Sequence, residues 1–154
     1  MNKTVCELFA GVGGFRCGLN NIKSIEDKKE KADIVIADLP CSGLGIIGKK
    51  SDIKYNITSE AQKDLVKLQR DILKNAWQYV KVGGTLVYST CTLNKEENIE
   101  NVRFIEDNFP LKLVDISTYV PEGFGKGTAK DGYIQMLPGI DGTDGFFISR
   151  FERY

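Results

Sequence analysis

Histidine is absent from the 154 residues. Its absence removes the Ser-His-Asp and Cys-His routes to an activated nucleophile, and the histidine-rich metal sites with them. Net charge is absent as well. Lysine plus arginine equals aspartate plus glutamate at 21 each, so no overall field draws the chain onto a polyanion. If the substrate is a nucleic acid, something else must supply much of the grip. No apolar run approaches a membrane span and no basic-then-apolar start suggests export, so the expectation is a cytoplasmic chain with no membrane partner. The four cysteines, Cys6, Cys17, Cys41 and Cys91, lack CxxC spacing, which argues against a disulfide framework and a zinc site. No metal is expected. Carboxylates, thiols, lysines and backbone dipoles are left to carry any chemistry.

What is present is a repeated strand-then-helix pattern. Thr4 to Phe9 is short, apolar and β-capable, and it runs into the glycine turn Ala10-Gly11-Val12-Gly13-Gly14 ahead of an expected helix over Phe15 to Ile22. Lys23 to Lys31 is almost wholly charged and reads as a solvated loop or helix end. The run Asp33-Ile34-Val35-Ile36-Ala37-Asp38 has the continuous apolar character of a central parallel strand, and Pro40 ends it. Leu39 to Thr58 has no sustained period, and a loop of that length in a compact domain is usually functional or disordered; we read it as functional.

Ser59-Glu60-Ala61-Gln62 matches a capping box. Leu65, Leu68, Ile72, Ala76 and Tyr79 then form one apolar stripe of a helix expected to reach about Val80. Gly83-Gly84 turns the chain into a strand at Thr85 to Thr90, with Cys91 just past its carboxyl end. Asn94 to Glu97 reads as a cap, and Ile99, Val102 and Ile105 as the buried face of a helix ending before Pro110. Such alternation specifies an α/β fold, a parallel sheet with helices on its faces. Leu111 to Ser117, Tyr133 to Leu137 and Gly145 to Phe151 follow as strands too closely spaced for helical crossovers, which predicts an antiparallel carboxyl-terminal edge.

Ligands of open parallel sheets bind outside the carboxyl ends of the strands. Three features meet there: the glycine turn, Asp38-Leu39-Pro40-Cys41-Ser42-Gly43, and Ser89-Thr90-Cys91-Thr92. Taken singly, each has a plainer explanation, as a tight turn, a turn-capping aspartate or a buried thiol. Their convergence on one rim argues for a site. Cys6 and Cys17 have no such placement and are read as structural.

From Asp33 to Tyr154 the chain resembles the carboxyl half of the Sun (Fmu) family of ribosomal RNA cytosine methyltransferases. The motifs that carry this are Asp38-Leu39-Pro40-Cys41-Ser42-Gly43-Leu44-Gly45, Asp52-Ile53-Lys54-Tyr55, Leu68-Gln69, Gly83 to Thr92, Glu97-Asn98 and Asp141 to Phe147, in the family's order. The resemblance implies a Rossmann-like class I methyltransferase sheet. It also implies S-adenosylmethionine as cofactor, and methylation of carbon 5 of cytosine in ribosomal RNA, of the small subunit, through a covalent cysteine adduct. By the family pattern Cys91 is the nucleophile and Cys41 assists its release. Asp38 matches a residue of the cofactor and base pocket, and Pro40 and Lys54 are read as substrate-binding. A free thiol titrates near pH 8.5, so the nucleophile needs a lowered pKa or a base. Lys49, Lys50 and Lys54 are sources of positive potential, although Lys49 and Lys50 read better as a solvated basic loop.

The opening departs from that pattern. Glu7-Leu8-Phe9-Ala10-Gly11-Val12-Gly13-Gly14-Phe15-Arg16 resembles the cofactor motif of DNA cytosine-C5 methyltransferases, which makes Phe9, Ala10, Gly11, Gly13 and Gly14 the expected cofactor-binding residues beside Asp38. Between Gly14 and Asp33 there is no room for the two strands and helices a full methyltransferase sheet holds, so the sheet is expected to be abbreviated. Glu26 or Asp27 would take over part of the acidic contacts to the cofactor. The expected organisation is one domain over 1–154, with a glycine-turn segment at 1–22, a linker at 23–32 and the catalytic part at 33–154. A separate RNA-binding domain or protein is the expected partner. Two alternatives stand beside this reading: a catalytically incompetent remnant that binds RNA or protein, and a DNA methyltransferase with Cys41 as nucleophile. The DNA family's Glu-Asn-Val motif belongs at a strand end, whereas Glu100-Asn101-Val102 falls within a predicted helix.

Overall fold

The structure is a computed structural model and describes residues 3–8, 29–49, 58–121 and 124–154. The glycine-turn residues Phe9, Ala10, Gly11, Gly13 and Gly14, the helix expected over Phe15 to Ile22, Glu26, Asp27, Cys17, Lys50 and Lys54 lie outside them. Among the described residues six strands form one sheet: β1 (Val5–Leu8), β2 (Ala32–Asp38), β3 (Val80–Thr90), β4 (Leu111–Leu113), β5 (Tyr133–Met136) and β6 (Phe146–Arg153). Among the described residues two helices accompany them, α1 (Ser59–Ala76) between β2 and β3, and α2 (Ile99–Asn108) after β3.

The order across the sheet is β1-β2-β3-β6-β4, and β5 pairs with β6 beyond the end of β4. The first three strands are parallel and every pairing to β6 is antiparallel, as the closely spaced carboxyl-terminal strands predicted. An eight-residue β6 lets one edge serve two partners, since Phe151 to Arg153 face β4 and Phe146 to Ser149 face β5.

Burial along β6 alternates, with Phe147, Ser149, Phe151 and Arg153 buried. On the same face Tyr88 of β3 receives a hydrogen bond from Asn101 of α2, and Asn101 in turn donates to Gln69 of α1, so both helices cover this side of the sheet. Leu73, Leu86, Tyr88, Val102, Ile105, Phe147 and Phe151 form the core between them. Each large apolar side chain taken from water there contributes roughly 1.5–3 kcal/mol. Among the described residues no helix is long and apolar enough to cross a membrane.

Several expected boundaries move, each for a physical reason. The cap of α1 is Thr58, one residue ahead of the expected box, and its side chain accepts from the Ala61 amide. The helix stops at Ala76, a 3-10 turn covers Trp77–Tyr79, and Val80 already belongs to β3. The buried face of α1 is Val66, Gln69, Leu73 and Ala76 rather than the stripe through Leu65, Leu68 and Ile72. Leu68 is exposed because Gln69, polar but fully hydrogen-bonded inside, takes the inward position. Gly83-Gly84 is a bulge within β3 and not a turn before it. Ala32 faces Val80 but Ile34 faces Thr85, so β3 loops out between them, and Gly83 adopts φ 73° to allow it.

The helix expected from Asn94 begins at Ile99 instead; the Asn94 side chain accepts from the Glu96 amide in a turn that precedes it. The strand expected over Leu111 to Ser117 shortens to Leu113, and a 3-10 turn starts at Ser117. Phe151→Ala, which empties a fully buried site between Leu86 and Leu113, is expected to lower unfolding free energy by about 3–5 kcal/mol in urea titration.

Candidate active site

Parallel register brings the two cysteine loops together. Asp38 is paired with Ser89, so β2 and β3 leave the sheet at the same level and on the same rim. The Leu39 amide still donates to the Ser89 carbonyl at 3.1 Å before the chains diverge. Leu8 of β1 is paired with Ala37, so β1 ends at this rim as well. Cys41 follows β2 by three residues and Cys91 follows β3 by one, and their sulfurs lie 3.0 Å apart. That is too long for a disulfide, which needs about 2.05 Å, and both cysteines are free. The Cys91 amide also donates to the Cys41 sulfur at 3.2 Å.

One hydrogen bond between two sulfurs makes them unequal. With the Cys41 thiol as donor, the Cys91 sulfur is stabilised as a thiolate and its pKa falls to about 7, although burial and the Asp38 carboxylate oppose this. The same bond, together with burial, pushes the Cys41 thiol well above the ordinary range. Cys91 thus has much of the thiolate character that a nucleophile needs near neutrality, and Cys41 keeps a proton beside it. Lys49 contributes little to this field, because its ammonium is bound to Asp144 at 2.6 Å out in solvent.

A buried polar network holds the geometry. The Ser42 amide donates to Glu97 Oε2 at 2.9 Å, and the Ser42 and Thr92 hydroxyls are 2.7 Å apart, which ties the two loops together twice. Gln69 Nε2 donates to the Pro40 carbonyl and to Glu97 Oε2, both at 2.9 Å. Thr90 Oγ1 donates to Asn98 Oδ1 at 2.6 Å, and Asn98 Nδ2 donates to the Thr92 carbonyl at 2.9 Å and to Gln135 Oε1 at 2.7 Å. The Tyr88 hydroxyl donates to the Glu97 carbonyl, and burial holds that phenol well above its usual pKa.

Backbone contacts close the ring. Gly45 N donates to the Cys91 carbonyl at 3.0 Å, and Gly145 N to the Gly45 carbonyl at 2.8 Å. A Cβ on Gly45 would stand 2.1 Å from the Gly145 oxygen, so only glycine fits there.

The predicted site residues divide accordingly. Asp38, Pro40, Cys41 and Cys91 share the rim; Asp38 Oδ1 accepts from Ser89 Oγ at 2.8 Å, and Pro40 precedes Cys41 with its carbonyl held by Gln69. The glycine-turn residues and Lys54 are outside the described residues. Sequence reasoning gave no role to Gln69, Glu97, Asn98 or Asn101 in holding the loops, and set Asn101 aside. A signal was available, because Gln69 and Asn101 occupy inward helical positions that an apolar side chain would ordinarily fill, and a buried amide needs partners.

The sequence profile described as 16S rRNA methyltransferase RsmB/F matches residues 16–152. Ribosomal RNA small subunit methyltransferase F of Shigella flexneri is 31% identical over 148 residues, covering 90% of this chain and 31% of its own length. The protein of that name from Cronobacter sakazakii is 32% identical over the same shares. Among solved structures, PH0851 superposes with a TM-score of 0.72 at 33% identity, over 81% of this chain and 27% of that one. NSun6 from Pyrococcus horikoshii, solved with the S-adenosylmethionine analogue SFG, gives 0.64 at 31% identity, over 77% and 29%. The sheet with its cysteine rim is therefore a methyltransferase α/β fold. Within that class, the chain belongs to the RsmB/F family of 16S rRNA methyltransferases. It spans about a third of the length of the curated relatives it matches. The profile match starts after the glycine turn, the segment whose sequence resembles the DNA enzymes.

Alkylation of Cys91 by iodoacetamide, followed by mass spectrometry, is expected to titrate with a midpoint near pH 7. In Cys41→Ala, which lacks the donor thiol, the midpoint should rise toward the ordinary value of about 8.5. Gly45→Ala should cost about 1–3 kcal/mol of stability in chemical denaturation, because backbone must move to admit the methyl group.

Proposed function

We propose that this chain carries the catalytic thiols of an S-adenosylmethionine-dependent enzyme that methylates carbon 5 of cytosine in small-subunit ribosomal RNA. The observation that carries the reading is the 3.0 Å contact between the sulfurs of Cys41 and Cys91. Two thiols that close can act on one base, and their unequal proton affinities divide the labour. Carbon 5 of cytosine is a poor nucleophile until a group adds at carbon 6. The Cys91 thiolate forms that sulfur-carbon bond, and the displaced π electrons make carbon 5 nucleophilic. S-adenosylmethionine, when bound, supplies the electrophilic methyl group.

Carbon 5 then holds both the methyl group and its original proton. Transfer of that proton to a solvent water returns the electron pair to the ring as the C5–C6 double bond and breaks the bond to Cys91, which leaves as thiolate. Cys41, within hydrogen-bond reach of Cys91, assists this release. Asp38 fits a role in orienting the base edge or the cofactor. Its carboxylate stands at the rim beside Ser89 and close enough to Cys91 to oppose its ionisation, and a carboxylate suits the cationic groups of S-adenosylmethionine. Phe9, Ala10, Gly11, Gly13 and Gly14 are the proposed cofactor contacts, and Pro40 and Lys54 the proposed substrate contacts. A balanced charge of 21 against 21 supports an RNA-binding domain or protein as partner. Relatives that act on ribosomal RNA support a cytoplasmic setting.

A non-catalytic scaffold is the second reading, favoured by one observation: among the described residues β1 is the last strand on its side of the sheet, with nothing paired beyond it. Labelled S-adenosylmethionine with small-subunit ribosomal RNA, or with duplex DNA, separates the readings. Label in RNA at cytosine carbon 5 is expected, reduced to background by Cys91→Ser, whereas Cys41→Ser should accumulate a covalent protein-RNA adduct. Loss of methylation in Cys41→Ser with full activity in Cys91→Ser would reverse the two roles. No cofactor binding at millimolar concentration by calorimetry would leave the scaffold.

A further inference from the structure

Glu97 is completely buried, yet only one of its carboxylate oxygens is well used. Oε2 accepts from the Ser42 amide and from Gln69 Nε2, while Oε1 is buried with no protein donor among the described residues. Burying a carboxylate and leaving half of it unpaired lowers stability, so its placement calls for another explanation than core packing. The bonds it makes supply one. Ser42 directly follows Cys41, and Glu97 sits in the turn that leads from Cys91 into α2. The acceptor therefore belongs to the Cys91 side of the site and its donor to the Cys41 side. Its backbone carbonyl is held by the Tyr88 hydroxyl from within β3, so the carboxylate projects from a fixed base. Gln69, bound to the same oxygen and to the Pro40 carbonyl, clamps the Cys41 turn from α1.

We propose that Glu97 is the positioning residue of the thiol pair: by accepting the Ser42 amide through Oε2 it pins the turn carrying Cys41 against the loop carrying Cys91 and so sets the distance between the two sulfurs. Glu97 touches neither sulfur; it positions them through Ser42, while its charge by itself opposes ionisation of Cys91. Its importance for turnover rests on the reading of these thiols as catalytic, but its effect on their geometry does not.

The readout is the pH profile of Cys91 alkylation by iodoacetamide, quantified by mass spectrometry on the whole chain without RNA or cofactor. Glu97→Ala removes the acceptor, and Glu97→Asp keeps the charge but shortens its reach by one methylene. Glu97→Asp is expected to raise the midpoint from about 7 toward about 8.5, so that the thiolate fraction at pH 7 falls from about half to a few per cent, and Glu97→Ala to raise it less, because it also removes a charge that opposes Cys91 ionisation. Glu97→Gln retains an oxygen for both donors and removes only the charge, so the midpoint should stay at that of wild type or fall slightly below it. A folded Glu97→Asp protein with an unchanged profile overturns the proposal.

Should both variants unfold, hydrogen exchange on the wild-type chain decides. The Ser42 amide should exchange as slowly as amides of β3, and exchange at the rate of an open loop overturns the assignment. The two readings fail separately. A shifted profile with no methylation by wild type would sink the enzymatic reading and keep the positioning role. Intact methylation with an unshifted Glu97→Asp profile would do the reverse.

Discussion

The site depends on the register of β2 against β3. Asp38 lies opposite Ser89, so the two strands end together and their following loops must pass each other within a few residues. Side chains alternate from face to face along a strand, and a slip of one residue would turn each of them to the other side. It would also carry Cys41 away from Cys91 by a residue's rise of about 3.3 Å, more than the 3.0 Å that now separates their sulfurs. The register is protected by the alternation of core residues: Val35 and Ala37 on β2, and Leu86 and Tyr88 on β3, are each buried. The apolar core thereby enforces a distance between two polar atoms at its edge.

Beyond the strands, regular structure no longer controls the geometry, and a polar network takes over. Ser42, Thr90, Thr92, Glu97, Asn98, Gln69 and Asn101 are all buried, and the bonds from Ser42 to Glu97 and Thr92 and from Gln69 to Glu97 and Asn101 join segments far apart in sequence. In a low-dielectric interior such bonds are strong when complete and costly when broken, which favours one arrangement of the loops over near alternatives. Gln135 extends the network to the antiparallel edge, where its amide also reaches the Phe146 carbonyl at 3.1 Å. The carboxyl-terminal strands thus buttress Thr92 and, through it, the loop of Cys91.

Much of the fold was legible because local pattern and tertiary environment agree. The buried runs at Asp33 to Asp38 and Thr85 to Thr90, and the antiparallel tail, follow from apolar periodicity and connection length alone. Where polar residues serve the core, the same reasoning slipped. Gln69 made the inward face of α1 look like an outward one, and Asn101 looked incidental, because periodicity counts only apolar side chains. The Gly83-Gly84 bulge was read as a turn for a related reason: glycine signals a special backbone conformation but not which one.

The amino-acid sequence by itself determined the α/β class, the order of elements, the family motifs and the two cysteines placed just beyond strand ends. All of these are set by residue type and spacing along one chain. Only the tertiary structure decided that those cysteines touch and that Glu97 bridges their loops. Residues 50 positions apart meet only when parallel strands align, and two sulfurs share one hydrogen bond only once packing has fixed the loops that carry them.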